Sequence, residues 1–307
     1  MNEYKIWLAK ILTIGVLVLF ILPIGIGLIG AIGGVDAGPK VSVVEITGVI
    51  EDSTEILAAL YRESRDKHSK AVVVRIDSPG GAVAPSEEIY SAIQRLKHEK
   101  PIVVSMGSVA ASGGLYASLG ASRVFANRGT QTGSIGVIMQ LPNYASVADK
   151  VGVTMVTVKS GALKDTGNPF RPMTDQERVF LETTTAKVHD VFIRAVVEGR
   201  NIPEEKVRSF ADGRVLLGIE AKELGLVDEF GDIYDAARAA LKLAKEEIKD
   251  DQLPELVYSN KKKGAVAKFL EGVSSLSYFI SSATSVMPNI FSSNVGGSIP
   301  VARYTAN

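Results

Sequence analysis

The stretch "SVAASGGLYAS", residues 108–118, sets one serine, Ser112, between Ala110-Ala111 and Gly113-Gly114. Eight of its eleven residues are Gly, Ala or Ser, which leaves unusual room around a hydroxyl. The apolar run Ile102-Val103-Val104 precedes it, so Ser112 falls at an expected strand-to-helix turn. Two readings fit. In one, the hydroxyl caps the helix and the small residues serve close packing. In the other, Ser112 is a nucleophile: small neighbours admit a substrate carbonyl, and the helix start turns free N–H groups and a positive dipole end toward it. Taken alone, the stretch favours the cap.

A second turn, "DSPGG" at 77–81, could complete such a site. Pro79 fixes one φ angle, and Gly80 and Gly81 reach conformations closed to other residues. A turn of this kind can aim backbone N–H groups at a developing oxyanion, where one donor is worth ~3 kcal/mol. It is equally an ordinary connection between a strand and a helix. Asp77 reads as shaping the turn.

A serine nucleophile needs a base. His68, His98 and His189 stand far apart among charged or helix-forming neighbours and read as exposed, with no metal-ligand spacing. A neutral lysine can serve instead, because burial can lower an amine pKa from about 10.4 by up to ~3–5 units. "VKSGALKD" (158–165) offers Lys159 and Lys164, and "TGSIGV" (132–137) offers Ser134 as an orienting hydroxyl. These residues alone leave both lysines open. The G-x-S-x-G elbow is missing, and the chain has no cysteine, which excludes disulfides, thiolate metal sites and a cysteine nucleophile. No metal or nucleotide site is visible, so no cofactor is expected.

The elements around these turns alternate. A strand pair broken at Gly48 (41–50), a helix over 53–66, a strand at 71–76 ended by "DSPGG", a helix from Pro85 to about His98 and a strand at 101–106 come first. Strands at 123–127 and 154–160 follow, then a long helix from a capping box at Thr174–Glu177 to about Glu198. Short helices at 204–211 and 218–225 and an amphipathic helix at 232–249 complete the series. Such alternation predicts an α/β fold with a parallel sheet, whose ligands gather at the carboxyl ends of strands, where both glycine turns lie.

From Ile11 to Val35 there is no charge, enough for a helix to cross a bilayer. Lys5 and Lys10 precede this run and Asp36 follows it, which puts the N-terminus in the cytoplasm and the rest outside. A cleaved signal peptide, ending near Ala31-Ile32-Gly33, is the competing reading. Gly25, Gly27 and Gly30 match G-x-G-x-x-G by chance, with no strand before them. The expected organisation is a cytoplasmic stub (1–10), a transmembrane helix (11–35), a catalytic domain (36–253) and an apolar, serine-rich tail (254–307). With 34 basic and 34 acidic side chains there is no electrostatic case for nucleic acid.

In order along the chain stand "DSPGG", "GSVAASGGLYAS", "TGSIGV", "VKSGALKD", "ADGRV" and "AKELGLVDEFG", behind one apolar span. This ordered set resembles the signal peptide peptidase A family in its short, single-repeat form, membrane-anchored serine–lysine peptidases of the Clp-protease/crotonase superfamily. The resemblance covers Val41 to about Leu241, roughly two-thirds of the chain. It implies repeated ββα units, Ser112 as nucleophile, Lys164 rather than Lys159 as base, Ser134 holding the lysine, and an oxyanion hole from the N–H groups of Gly80 and Gly113. It further implies hydrolysis of remnant signal peptides at the cell membrane by a homo-oligomeric ring whose neighbours can complete each site. "ADGRV" would brace the fold or a subunit contact. Two other classes share the fold: a crotonase-type acyl-CoA enzyme, which would use acidic residues instead of Ser112 and Lys164, and a catalytically silent membrane scaffold, which would need neither.

Overall fold

The computed structural model describes residues 39–259, together with Trp7 and Gly15. The span expected at 11–35 lies outside the described residues apart from Gly15, and most of the tail lies outside them too. Among the described residues no helix is long and apolar enough to cross a membrane.

Three long strands carry the fold: β1 (Lys40–Ile50), β2 (Ala71–Gly81) and β3 (Ile102–Ala110). They are parallel, with β2 in the middle. Helices α1 (Thr54–Arg65) and α2 (Val83–Leu96) make the two crossovers. Residues of one parity, such as Val44, Val74 and Val104, face the larger core, which also takes in Leu60 of α1 and Ile89 and Ile93 of α2. Residues of the other parity, Val41, Val73 and Val103, pack under Ala236, Ala237, Ala240 and Leu241. Both faces are covered, and so "AVVVRI" reads as a continuous apolar run and not as an alternation.

Beyond β3 the sheet divides. The first half of β3 pairs with β4 (Arg123–Ala126), and its far end, Val109, pairs with β5 (Gln131–Gly133). The short helix α3 (Gly113–Ser118) follows β3 directly, and α4 (Ala145–Lys150) lies in the segment after β5. The long helix α5 (Asp175–Arg200) starts at the expected capping box on Thr174. Then come α6 (Glu204–Arg208), β6 (Val215–Leu217), α7 (Gly218–Leu224), β7 (Glu229–Phe230), α8 (Ile233–Leu243) and β8 (Glu255–Tyr258). The β5–β6 pair is antiparallel; the other pairs are parallel.

Several boundaries differ from expectation. Residues 40–50 form one strand, with the register shifting between Thr47 and Val49 around Gly48 at φ 72. "DSPGG" does not end β2 but continues it, because Gly80 and Gly81 pair with Val49 and Ile50 beyond that shift. Helix α2 begins at Val83, not Pro85; proline fits the first turn, where N–H groups lack intrahelical acceptors. The apolar 154–160 segment forms no strand and finds no ladder partner within the described residues; Val156 is 81% and Val158 95% exposed. The domain boundary expected at 253 cuts off β8, which pairs with the start of β1.

The end of α5 is pinned to the sheet by charge. Arg200 pairs with Asp228 at 2.8 Å, and Asp228 also accepts the Val124 N–H at 2.7 Å. Removing one partner of a buried pair leaves the other uncompensated. Asp228→Ala is expected to lower the unfolding free energy by about 3 kcal/mol in urea denaturation.

Candidate active site

The carboxyl ends of β2 and β3 bring the two glycine turns against each other. The Ala111 N–H donates to the Ser78 carbonyl at 3.1 Å, and the Ser112 N–H to the Gly133 carbonyl at 2.9 Å. Ser112 therefore hangs between β2 and β5, and its backbone sits at φ 49, ψ −118, a conformation that a residue with a side chain rarely adopts. Such strain amounts to roughly 1–3 kcal/mol and persists only where the surroundings enforce it. The Ser112 side chain makes no capping hydrogen bond to α3. The cap reading fails on that point: the hydroxyl is presented at the head of a fully buried helix and is not consumed by it.

The approach of the turns explains the glycines. A β-carbon on Gly80, at φ 104, would lie 2.6 Å from the Gly113 nitrogen and 2.8 Å from Ser112 Cβ. One on Gly81 would lie 2.1 Å from the Ile50 carbonyl oxygen, and one on Gly113 would lie 2.3 Å from Ser86 Oγ. Gly114 meets the Ser78 carbonyl in the same way, at 3.0 Å. A β-carbon does not fit at Gly80 or Gly81, at Gly113 it would displace the Ser86 hydroxyl, and at Gly114 it would be tight.

The N–H groups differ from expectation by one residue. Gly80 donates to Ser78 Oγ at 3.1 Å, so its N–H is engaged inside the turn. Gly81 is the register partner of Ile50, whose carbonyl accepts from Ala82. In a parallel ladder successive residues present their N–H groups to opposite neighbours, so Gly81 turns its own toward the Ser112 side. A β-carbon on Gly113 would lie 3.1 Å from the Gly81 nitrogen. Gly81, and not Gly80, lines the cavity beside Ser112. Gly113, first residue of α3, has no intrahelical acceptor for its N–H. Asp77 accepts the Val109 N–H at 3.0 Å and holds the β3 end, a turn-shaping part.

Ser134 stands next to Gly133, at φ 52, and its N–H donates to the Arg214 carbonyl at 2.8 Å. The "ADGRV" backbone braces this stretch: Gly213 donates to Ile135, and Gly133 pairs with Val215. Arg214 closes onto Asp212 in an exposed ion pair.

The lysines are distinguished by their partners. Lys159 bonds the Ala162 carbonyl at 2.9 Å and forms a tight ion pair with Asp165. Asp165 also holds Arg171 at 2.9 Å, and Arg171 in turn grips Glu177, the capping-box acid of α5. Lys159 above all, then Arg171, holds the Asp165 carboxyl at about 2; the Arg171 guanidinium and the Thr174 N–H hold Glu177 at about 2. Lys159 is thus committed to Asp165 and the Ala162 carbonyl. Lys164 sits on the turn closed by its N–H to the Gly161 carbonyl at 3.1 Å. Its side chain is exposed, and no hydrogen bond joins it to Ser112 or to any other described residue. Within one chain, then, the structure does not bring Lys164 to Ser112.

Beside Ser112 lies an apolar cavity of about 110 Å³, walled by Val83, Tyr116, Val137, Ile138, Val191 and Phe192. Burial pushes the Tyr116 hydroxyl up to about 12, so it stays neutral. Gly136 and Val137 also border a wider groove of about 630 Å³ along α5. His189 lines that groove. It is half-buried, contrary to expectation, because α5 turns it inward, and its Nε2 has no hydrogen-bond partner. His68 and His98 are exposed as expected. Ser86 was not among the expected residues. It is buried at the cavity in the first turns of α2, one helical turn after Ala82, and a serine at that spacing behind the glycine turn is the signal that could have drawn attention to it.

The sequence profile of Peptidase family S49 matches residues 94–247, and that of Clp protease matches residues 40–132. A Synechocystis sp. protein named as a protease is 41% identical over 207 residues, 67% of this chain and 74% of that protein. An Enterococcus faecium protein named as a signal peptide peptidase SppA is 35% identical over 245 residues, 75% of this chain and 70% of that protein. Protease 4 of Haemophilus influenzae is 34% identical over 217 residues, 67% of this chain but 35% of that protein, so the chain spans about a third of that relative.

The acid network makes the lysine loop pH-dependent. Folded Asp165 and Glu177 titrate at about 2, below their ordinary 3.8 and 4.5. Their stabilisation is fully present above about pH 4.5 and is lost as pH falls toward 2. Amide exchange in residues 159–171 is expected to accelerate across that window, beyond its change in the sheet strands.

Proposed function

The chain belongs to peptidase family S49, a serine peptidase and hence a hydrolase, and we propose that it is a membrane-anchored endopeptidase working through a Ser112–Lys164 dyad. The observation that carries this reading is the Ser112 turn: a strained backbone at φ 49 presents an uncapped hydroxyl beside an apolar cavity. In the proposed reaction Lys164 Nζ takes the Ser112 proton as Oγ attacks the peptide carbonyl. The oxyanion lies between the N–H groups of Gly113 and of the Pro-Gly-Gly turn, with Gly81 the better placed of the two glycines. Lys164 returns the proton to the leaving amine, and a water activated by the same lysine releases the acyl group. Ser134 is the hydroxyl proposed to orient the lysine.

The exposed position of Lys164 supports a site completed by a second copy. The same segment carries Ile138 at 83%, Val156 and Val158 largely exposed, an apolar surface of the kind that subunit contacts cover. An adjacent copy that buried this segment would also strip water from Lys164, which an amine needs in order to act as a base. A homo-oligomeric ring follows from this reading. Its substrates are apolar peptides suited to the cavity walls, remnant signal peptides first among them. The uncharged run 11–35, after Lys5 and Lys10, supports a single-pass anchor with the catalytic domain on the extracytoplasmic side. Acyl-CoA chemistry on this fold would need acids at the site, and the cavity lining holds no carboxylate.

The test is hydrolysis of a fluorogenic apolar peptide by the full chain in detergent micelles. Ser112→Ala and Lys164→Ala are each expected to reduce kcat/KM by about 10³-fold or more, and Lys159→Ala by less than about tenfold. Mixing the two inactive variants is expected to restore part of the activity, since some pairs of neighbours then contain an intact serine and lysine. Equal activity in all variants would overturn the dyad.

A further inference from the structure

Ser86, on α2, is 2% exposed, and it lines the Ser112 cavity. Its Oγ lies against Gly113, 2.3 Å from where a β-carbon on that residue would stand. The Gly81 nitrogen is 3.1 Å from the same point. The Ser86 hydroxyl oxygen and the Gly81 nitrogen thus flank the same side of Gly113, whose own N–H has no intrahelical acceptor.

The hydroxyl is not needed where it is. It donates to the Ala82 carbonyl at 2.8 Å. That carbonyl already accepts the Ser86 N–H at 3.3 Å, so the helix start keeps its bond if the hydroxyl turns away. A serine O–H is a rotor and takes the better acceptor. A negatively charged oxygen is such an acceptor, since hydrogen bonds to ionised groups are roughly twice as strong as neutral ones.

We propose that Ser86 is a catalytic residue, a third donor of the oxyanion hole, whose hydroxyl leaves the Ala82 carbonyl for the oxyanion as it forms. The hydroxyl keeps its proton throughout; it donates a hydrogen bond and nothing is transferred. This inference rests on Ser112 as the nucleophile.

The experiment compares wild type, Ser86→Ala, Ser86→Cys and Ser112→Ala as full chains. It measures kcat, KM and the inhibition constant of a peptide aldehyde, which adds to a serine as a tetrahedral adduct, against that of the matching unreactive peptide alcohol. Ser86→Ala is expected to lose about 10²-fold in kcat and a similar factor in aldehyde affinity, with KM and alcohol affinity within about threefold of wild type. A merely structural serine would move KM and alcohol affinity too, or nothing; either result overturns the proposal. Ser86→Cys keeps the volume with a weaker donor and is expected between the two. If Ser86→Ala does not fold, the cysteine variant decides: weakened aldehyde affinity supports the donor, and wild-type affinity removes it. Wild-type turnover by Ser112→Ala would instead refute the underlying nucleophile, whatever the Ser86 variants do.

Discussion

The site depends on how closely the end of β2 approaches the turn after β3. The gap between Gly80 and the Gly113 nitrogen leaves no space for even a β-carbon. That closeness requires glycine at 80, while Ile50 crowds Gly81 and the Ser86 hydroxyl crowds Gly113. It makes the β2 backbone one wall of the Ser112 turn and the β5 carbonyl of Gly133 the other. Held from both sides, Ser112 takes a backbone conformation it would not adopt in isolation. The small residues of 108–118 are thus needed for this packing, which leaves the Ser112 hydroxyl uncapped.

Helix α5 is buried at its C-terminal end, where Phe192, Ile193 and Val196 enter the core, while Val179 and Phe180 near its start are exposed. The start of the helix anchors the lysine loop through Arg171 and Glu177. The loop is therefore tied to the start of α5 by charge, and it presents Lys164 outward. This placement of the lysine is the one on which the proposed completion of the site by a neighbouring copy rests.

Much of this was legible in the residues. The apolar runs at 71–76 and 102–104 mark buried strands, the Thr174–Glu177 box marks the start of α5, and the glycine turns stand where the α/β pattern puts a ligand site. What could not be read depended on partners distant in the chain. Whether Gly80 or Gly81 turns its N–H to the site follows from the pairing of β2 with β1 after the Gly48 irregularity. Lys159 and Lys164 look alike in "VKSGALKD" until Asp165 is seen to hold the former. The 154–160 segment has strand-like residues, but strand identity needs a ladder partner, and within the described residues it has none. Residues 255–258 look like a tail, yet the open edge of β1 recruits them. His189 reads as exposed in a charged helix, and only the facing of α5 turns it into the groove.

The most direct test is to react the intact chain with a fluorophosphonate probe and locate the adduct by peptide mass spectrometry. The account predicts a single adduct on Ser112, formed by the folded chain and abolished by unfolding it first. An adduct on another serine, or none on the folded chain, would contradict it.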